Sequence, residues 1–293
     1  MQIEIIANPV AGGGKSKKVL NKVEKILNDR EVTYRIHWTD SPGHATQLAE
    51  KLEWKGKTLV AAGGDGTVME VLNGIASPKT KIGIIPAGLG NDLARCLGVP
   101  KDARRAVDTF FNGDPRKVDL GTSEGKLFNF MGVGFPAEVV KNVELHRNGV
   151  ARGLFVYLLG LVRSITQLTS YQIELEVDGE KTIYSASAVF VASCRYTGGG
   201  IKLIPHADPS DGLLDVALIH ELGRIELTTA LRGVYSGAHV DHPKIEFFRG
   251  RSIKIRSENG LAGMYDGELK GSTPVTIEAA PSARRIIVPR DRT

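Results

Sequence analysis

Cysteine and aromatic side chains are scarce in this sequence. Its 293 residues include two cysteines, Cys96 and Cys194, and only 6% phenylalanine, tryptophan and tyrosine. Two cysteines without a CxxC pair exclude a framework of disulfide bridges and are typical of a reducing compartment. A signal peptide is also lacking, because the opening MQIEIIANPV has the pattern of a strand. We therefore expect two free thiols and a cytoplasmic protein.

Long hydrophobic runs are equally absent. The longest apolar segment, residues 154–162 (LFVYLLGLV), is much shorter than the roughly 20 residues that a helix needs to cross a bilayer. Apolar residues around it recur at helical spacing, which predicts one helix over residues 152–170 with a wide apolar face. That face is expected to pack in the core or, alternatively, to border a pocket for an acyl chain.

No strong excess of either charge is present. The net charge is +5 and the isoelectric point is about 9.1, a modest excess that favours neither an anionic membrane nor a nucleic acid by itself. Basic residues recur in 249–256 and 284–292, where they would attract anionic headgroups or form a solvated basic face. We expect no nucleic-acid partner.

The pattern of apolar residues changes at about residue 121. Before it, short strands alternate with helical patterns, which is typical of parallel βα units. The predicted strands of this part are 3–7, 33–38, 58–62, 81–85 and 116–121. We predict an α/β domain over residues 1–121.

Beyond residue 121 strands dominate. Residues 126–133 and 171–177 are predicted strands, and the second is followed by an Asp-Gly hairpin turn at 178–179. We predict a β-rich domain over residues 122–275. Two further strands are expected in residues 274–288, and they lead the chain back so that residues 276–293 belong to the first domain.

Residues 58–74, TLVAAGGDGTVMEVLNG, combine an apolar run, a glycine turn with one acid, and a helical pattern. Gly63, Gly64 and Gly66 have no Cβ, so backbone N–H groups and the positive end of the helix can approach an anion. Asp65 would be unfavourable beside a polyphosphate unless it binds a cation, a ribose hydroxyl or a proton in transit. The segment predicts a phosphate-binding turn for nucleotide chemistry, the alternative being a tight turn capped by Asp65.

Two other nucleotide motifs do not fit. Residues 14–16 (GKS) resemble the end of a Walker A loop, but Pro9 stands where that loop needs its first glycine. The glycine pairs at 64/66 and 88/90 lack the third glycine or alanine of a GxGxxG fingerprint. The sequence therefore excludes a P-loop NTPase and does not support NAD-dependent hydride transfer.

Several motifs follow one another in the order of a known family. They are GGDGTVMEVLNG (63–74), PAGLGNDLAR (86–95), VDLG (118–121), GGGIKLIPHADPSDGLLDV (198–216) and DGE (266–268). Together they resemble the diacylglycerol kinase catalytic-domain family, which includes bacterial lipid kinases and the sphingosine and ceramide kinases. The resemblance implies a parallel α/β N-terminal domain of the NAD-kinase and phosphofructokinase-like fold. It also implies a β-rich C-terminal sandwich domain and an active-site cleft between the two.

The resemblance assigns nucleotide contacts by position. Asn8, Pro9 and Gly12 match an N-P-x-x-G element after the first strand, and Thr39 matches a threonine that contacts the nucleotide. The full predicted nucleotide-binding set is Asn8, Pro9, Gly12, Thr39, Gly63, Gly64, Asp65, Gly66, Thr67, Glu70 and Asn91. ATP would bind there with a catalytic Mg²⁺ near Asp65, and Asp92 and Asp119 would belong to an acidic network near the phosphates.

The sequence departs from the family at two positions and matches it at a second metal site. Leu89 stands where the family usually has a hydroxyl, and Pro136 stands where it usually has an aspartate. The loop at 208–213 matches a structural magnesium site. Its implied ligands are the side chain of Asp211 and the backbone carbonyls of Asp208 and Leu213, and an Asp-rich turn before a strand is the alternative.

The DGE motif supplies the implied catalytic residues. By resemblance Glu268 is the general base that deprotonates the acceptor hydroxyl, with Asp266 in the same turn and Asp65 as the other candidate base. The predicted function is transfer of the γ-phosphate of ATP to a lipid hydroxyl, from diacylglycerol to give phosphatidic acid, by an enzyme transiently at the inner face of the membrane.

The sequence leaves other functional interpretations open. The acceptor could instead be phosphatidylglycerol, a sphingoid base or a soluble small molecule, and a nucleotide-binding regulator without catalysis is the alternative from another class. The sequence also leaves the oligomeric state open, a homodimer included.

Overall fold

The structure of the protein is a computed structural model that describes residues 2–53, 58–77, 79–147 and 154–290. The chain divides into two compact units. Unit 1 comprises residues 1–119, 198–200 and 281–293, and unit 2 comprises residues 120–197 and 201–280. The sequence pattern did not predict that residues 198–200 belong to the first unit.

Unit 1 alternates strands with helices, as the apolar periodicity predicts. Its elements are β1 (Gln2–Ala7), α1 (Lys15–Asp29), β2 (Thr33–Trp38), α2 (His44–Glu53), β3 (Thr58–Gly63), α3 (Asp65–Gly74), β4 (Lys81–Pro86), α4 (Asp92–Cys96), α5 (Ala103–Asn112) and β5 (Asp114–Ser123), which continues into unit 2.

The four strands β4, β3, β1 and β2 form a parallel sheet in that order. Ala7 pairs with Trp38 on one side and with Ala62 on the other, and Gly63 pairs with Pro86. Strands β1, β3 and β4 are apolar along most of their length because both faces of such a sheet are covered, whereas β2 at the edge has no buried residue. The register brings the carboxyl ends of all four strands to one edge, where ligands bind in open parallel sheets.

Unit 2 consists mainly of antiparallel strands. Its elements are β6 (Lys126–Phe128), β7 (Phe130–Gly134), α6 (Phe135–Arg147), α7 (Leu154–Thr166), β8 (Tyr171–Val177), β9 (Glu180–Ala192), β10 (Leu214–His220), α8 (Arg224–Gly233), β11 (Ile245–Gly250), β12 (Ser252–Arg256), β13 (Ala262–Tyr265), β14 (Glu268–Ser272) and β15 (Val275–Val288). The strand order is β14-β13-β7-β9-β8-β12-β15, and β10 pairs with β9 and β11.

The long strand β9 organises unit 2. Its first half pairs with β8 across the predicted hairpin turn, and its second half pairs with β7 and with β10. Alternate residues of these strands, such as Ile173, Val189 and Val216, are fully buried in one apolar cluster. The predicted fold class, an α/β unit followed by a β-rich unit, is thus confirmed.

The predicted pair of strands in residues 274–288 is one strand, so this prediction was wrong. Residues 275–278 pair with β12 in antiparallel fashion, whereas Arg285 and Ile286 pair with β4 in parallel. Between these parts Ser282 has a positive φ of 54°, and its N–H donates a 2.5 Å hydrogen bond to the carboxylate of Asp119. The bend at Ser282 lets one strand change partners without a separate turn.

The apolar helix predicted over residues 152–170 is α7, which spans Leu154–Thr166 and therefore ends before the predicted residue 170. Its predicted start at residue 152 lies outside the described residues. Near its end Ile165 and Leu168 pack in a buried cluster with Leu222 and Leu227. None of the described helices is long and apolar enough to cross a membrane.

Candidate active site

The loops at the carboxyl edge of the parallel sheet are joined by backbone hydrogen bonds. Asn8 donates its N–H to the carbonyl of Ala62 at 3.1 Å, and Thr39 donates to the carbonyl of Ala7 at 2.9 Å. Ala87 donates to the carbonyl of Gly63 at 2.8 Å. The structure therefore brings the predicted nucleotide-binding residues of all four loops to one place.

Glycine is required where two of these loops touch. A Cβ on Gly88 would lie 2.3 Å from the Cα of Gly64, so the loops after β3 and β4 meet backbone to backbone. A Cβ on Gly12 would lie 2.5 Å from the carbonyl oxygen of Ala87, and Gly12 also has a positive φ of 61°. Gly66, by contrast, is exposed and faces open space.

Helix α3 begins at this edge without a side-chain cap. Gly64 is its N-cap residue in an extended conformation, and no side chain accepts from the first turn. The N–H groups of residues 65–67 have no acceptor within the helix, which makes them available to an anion. Thr67 is buried, and its hydroxyl accepts a hydrogen bond from the Nδ2 of Asn8 at 3.2 Å.

The carboxylate of Asp65 turns away from its own helix. Its Oδ1 accepts the N–H of Asp92 at 2.6 Å and the N–H of Leu93 at 3.3 Å. A carboxylate at the first N–H groups of a helix satisfies donors that would otherwise be unpaired, so Asp65 holds the start of α4. This contact fixes the position of Asp92 relative to Asp65.

Asp92 is 7% exposed and lies beside Asp65. Its Oδ2 accepts the N–H of Gly199 at 2.8 Å, and its Oδ1 has no hydrogen-bond partner, with the Nε of Arg95 at 4.0 Å. Burial raises the pKa of Asp92, the bond from Gly199 opposes this, and the charge of Asp65 raises it further.

We call these two carboxylates the Asp65–Asp92 pair. A Cβ on Gly90 would lie 2.8 Å from Oδ2 of Asp65 and 3.3 Å from Oδ2 of Asp92, so the two groups converge on this glycine. Hard divalent cations bind carboxylate oxygens, and Mg²⁺ commonly uses one or two carboxylates together with phosphate oxygens. The donor set and the unpartnered buried oxygen of Asp92 fit such an ion.

Two other predicted nucleotide-binding side chains form hydrogen bonds with backbone groups of the loops. The carboxylate of Glu70 accepts the N–H groups of Gly43 and Ala45, at 2.9 and 3.1 Å. Asn91 has a φ of 55° and exchanges hydrogen bonds with the backbone of Gly88 at 2.9 and 2.8 Å. Leu89, in the same turn, is 71% exposed. Glu70 and Asn91 thus shape the loops, whereas their direct contact with a nucleotide stays a prediction.

Asp119, which was expected in the acidic network, is buried and holds the bend of β15 at Ser282. Asp92 and Asp119 therefore each bind a backbone N–H group, but from different parts of unit 1. A shared role near phosphates stays a prediction for Asp119.

In unit 2, the DGE turn joins β13 to β14. The carboxylate of Asp266 accepts the N–H groups of Asn129 and Phe130, at 3.2 and 3.0 Å, and its own N–H donates to the carbonyl of Phe130 at 2.9 Å. Glu268 is exposed and pairs with Tyr265 in the hairpin. Asp266 therefore anchors the turn to β7, and Glu268 is the carboxylate of the motif that is open to solvent.

The loop predicted to hold structural magnesium already has a cation beside it. Oδ1 of Asp211 accepts the N–H of Leu213 at 3.0 Å, and Oδ2 forms an ion pair with Arg249. Oδ1 of Asp208 accepts the N–H and hydroxyl of Ser210 at 3.0 and 2.6 Å. Both oxygens of Asp211 are thus engaged, one of them by a guanidinium that already balances its charge. A structural magnesium at Asp208, Asp211 and Leu213 stays a prediction.

Asp215 completes this second acidic cluster. It is fully buried, lies 2.9 Å from the Nε of Arg249, and is directly opposite Arg249 in the register of β10 and β11. Burial raises the pKa of Asp215 and the charge of Arg249 opposes it. Among the residues that the structure describes, no group of three or more His, Cys, Asp or Glu side chains could hold a metal ion.

Sequence reasoning missed two residues of these clusters, Gly199 and Arg249. Gly199 belongs to a run of three glycines with positive φ. In the sequence, that run was the available signal that residues 198–200 belong to a different unit from the residues on either side. Arg249 is 38 residues from Asp211, and no local pattern pairs them.

Comparison with known proteins identifies the family. The model of the diacylglycerol kinase catalytic domain matches residues 2–123, and that of the YegS C-terminal NAD kinase beta sandwich-like domain matches residues 130–288. The chain belongs to the diacylglycerol kinase family. This membership confirms the predicted family and the predicted class of enzyme, a lipid kinase.

Relatives align with the chain over nearly its whole length. The diacylglycerol kinase of Bacillus subtilis (strain 168) is 29% identical over 293 residues, which cover 98% of this chain and 96% of the relative. That of Staphylococcus saprophyticus subsp. saprophyticus is 30% identical over 273 residues, which cover 92% and 90%. The crystal structure of a candidate diacylglycerol kinase from Bacillus anthracis str. Sterne has a TM-score of 0.82 at 26% identity and covers 100% of this chain and 96% of that one.

Proposed function

We propose that this kinase transfers the γ-phosphate of ATP to the free hydroxyl of diacylglycerol and so forms phosphatidic acid. The observation that supports the proposal is the Asp65–Asp92 pair beside the uncapped N-terminus of α3. A polyphosphate with its Mg²⁺ needs backbone donors for the anion and carboxylates for the cation. Both occur here within one loop cluster.

Each part of this cluster has a distinct task in the proposed reaction. The N–H groups of residues 65–67 would bind phosphate oxygens, and Asp65 and Asp92 would hold Mg²⁺. When bound, the ion would supply positive charge against the phosphates during transfer. The glycines at 64 and 88 keep the loops close enough for these groups to act together.

The base is assigned to Glu268. As the acceptor oxygen bonds to the γ-phosphorus and the bond from phosphorus to ADP breaks, the hydroxyl proton passes to the carboxylate of Glu268. Asp65 is the weaker candidate, because its Oδ1 already accepts two backbone N–H groups. Asp266 acts as a positioning residue, since its carboxylate holds the turn that carries Glu268.

Unit 2 contains a small apolar cavity beside the segment predicted to border an acyl-chain pocket. Its volume is about 60 Å³, and apolar side chains of α8 and of the neighbouring strands form most of its wall. Leu168, from the segment predicted to border an acyl-chain pocket, is among them. Its apolar wall is what an acyl chain requires, but it is far smaller than a typical ligand pocket of about 300–1,000 Å³, so the acyl-chain pocket stays a prediction.

The test offers labelled ATP together with several acceptors. Diacylglycerol, phosphatidylglycerol and a sphingoid base are presented in mixed micelles, and a sugar and NAD in solution. We expect label in phosphatidic acid only. Transfer only to a soluble acceptor would overturn the lipid assignment, and transfer only to another lipid would overturn diacylglycerol as the substrate.

The same assay tests the base. Glu268→Gln should lower kcat by about 10²- to 10⁴-fold, because it removes the proton acceptor, with little change in the KM for ATP. Glu258→Gln, at another exposed glutamate of unit 2, is the matched control and should keep full activity. Full activity of Glu268→Gln would remove Glu268 from the mechanism.

A further inference from the structure

Helix α8 has two faces of different character. Its inward side chains, Leu227, Ala230, Leu231 and the following Val234, line the apolar cavity of unit 2. The outward side chains of α8 and the turn after it are those of Arg224, Ile225, Thr228, Thr229, Arg232 and Tyr235. We call this set the α8 face. It leaves Ile225 84% exposed and Tyr235 64% exposed.

The charge of the α8 face is positive and is not neutralised. Arg224 and Arg232 form no ion pair with any acidic residue in the described ranges. The helix has one acid, Glu226, which accepts the N–H of Gly223 at 2.7 Å and pairs with Lys244 at 2.8 Å. The lysine and that bond lower the pKa of Glu226. The acid of this helix is thus neutralised and its two arginines are not.

The basic stretch at 249–256, suggested by the sequence as a membrane contact, is different. Arg249 pairs with Asp211 and Asp215, Lys254 with Glu176, and Arg256 with Glu174. These charges are largely used within the protein. In the second stretch, Arg290 pairs with Asp114 and Arg284 donates to the carbonyl of Leu72, while residue 292 lies outside the described residues.

We propose that the α8 face docks on the surface of an anionic lipid bilayer. Ile225 and Tyr235 would enter the boundary between headgroups and acyl chains, where an exposed apolar residue and an amphipathic ring are favoured. Arg224 and Arg232 would bind headgroup phosphates. The threonines between them are uncharged and small, so they would not oppose contact with the bilayer surface. The inference rests on the proposed function, because it explains how a kinase reaches an acceptor that resides in a bilayer.

The chemistry of the face favours a bilayer over a protein partner. Its two large apolar side chains are separated by arginines and threonines, whereas a stable protein interface needs a contiguous, well-packed patch. Scattered apolar anchors with basic residues are typical of helices that lie on anionic membranes. Docking would also place the outer side of the cavity wall against the lipid.

The experiment measures binding of the full chain to sedimented vesicles of phosphatidylcholine with and without phosphatidylglycerol. The double variant Arg224→Gln, Arg232→Gln should bind phosphatidylglycerol vesicles about 30-fold more weakly at low salt, because each arginine contributes on the order of 1 kcal/mol near an anionic surface. The double variant Ile225→Ser, Tyr235→Ser should bind about tenfold more weakly and keep its salt dependence.

Matched controls remove the same groups elsewhere. Arg251→Gln, Arg256→Gln removes two positive charges from the stretch suggested by the sequence, and Ile183→Ser removes an isoleucine that is 65% exposed on β9. Both controls should bind as the wild type does. The proposal fails if the controls weaken binding as much as the α8 variants, if the α8 variants bind normally, or if the wild type does not bind.

Two further measurements separate this proposal from its rivals. Light scattering that shows a dimer in the wild type and a monomer in the α8 variants would overturn docking in favour of a second copy of the chain. Phosphorylation of a short-chain diacylglycerol in detergent micelles should be unchanged in the α8 variants, and its loss would place the face in catalysis instead. Vesicle binding by a wild type that phosphorylates no lipid would overturn the proposed function but not the docking.

Discussion

The protein has two acidic clusters that look alike in sequence but differ in what neutralises them. In the Asp65–Asp92 pair, backbone N–H groups take one oxygen of each carboxylate. The nearby Arg95 lies 4.0 Å from Oδ1 of Asp92 and donates to the carbonyl of Gly90. In the second cluster, Arg249 lies between Asp211 and Asp215. The two clusters therefore differ in how closely a cation approaches, since Arg249 contacts both carboxylates of the second cluster and Arg95 stays 4.0 Å from one carboxylate of the first.

The difference follows from how each cluster is built. Asp65 is the first residue of α3 and Asp92 is the first residue of α4. The N–H dipoles at the start of a helix stabilise negative charge without neutralising it. Asp215 and Arg249 are opposite each other on paired strands, so the register itself supplies the counter-charge. We therefore expect Mg²⁺ at the Asp65–Asp92 pair rather than at the loop of residues 208–213.

The largest expected effect is on catalysis at the first cluster. Asp65→Asn should lower kcat for diacylglycerol by about 10²- to 10³-fold, the usual cost of losing one electrostatic contact to a reacting group. The variant should stay folded, because the amide oxygen can still accept the N–H groups at the start of α4. Asp211→Asn is the matched control, with less than about threefold loss. Equal losses in both variants would remove the distinction between the clusters.

Stability should depend on the second cluster. Arg249→Met removes the guanidinium beside the fully buried Asp215, whose other basic neighbour is the imidazole of His206 at 3.6 Å. It should lower the free energy of unfolding by about 2–3 kcal/mol. This is less than for a wholly buried pair, because the Arg249 side chain is 43% exposed and water screens its charge. Urea unfolding measures the effect, and Arg251→Met should change stability by less than about 0.5 kcal/mol. Complete recovery of the Arg249 variant by Mg²⁺ would show that this loop binds metal after all.

Stabilisation of the folded protein by Mg²⁺ should also distinguish the two clusters, with a smaller effect than the Arg249→Met substitution. At a concentration ten times its Kd, the ion should stabilise the wild type by about 1.4 kcal/mol, since it binds only the folded state. We expect thermal unfolding of Asp211→Asn to show the same increase and that of Asp92→Asn to show none. The opposite result would assign the ion to the loop at 208–213.

The sequence predicted unit 1 well because its signals are local. Each βα unit has its own apolar run, its turn and its helical period, so the edge that carries Asn8, Thr39 and Gly63 follows from the strand order. The DGE turn was likewise located by its motif. The residue roles and the domain boundaries drawn from the sequence stay predictions.

The features that the sequence did not predict are pairings between distant residues. Asp92 binds Gly199, 107 residues away, and Asp119 binds Ser282, 163 residues away. Arg249 meets Asp215 only through the register of β10 with β11. Such contacts depend on how strands align, and a single sequence contains no local pattern that fixes this alignment.

The smallest expected effect is a pH dependence that isolates Asp215. Because burial raises its pKa above the ordinary 3.8, the folded protein holds this proton more tightly than the unfolded chain does. Its contribution to stability is therefore full below pH 3.8 and is lost as the pH rises through the pKa of the folded state. As the pH rises from 3.8 through the pKa of the folded state, the unfolding free energy of the wild type should therefore fall relative to that of Asp215→Asn, because asparagine does not titrate. A shift in favour of the wild type would mean that the attraction of Arg249 outweighs burial, and the second cluster would then be an ion pair that keeps its charge down to acid pH.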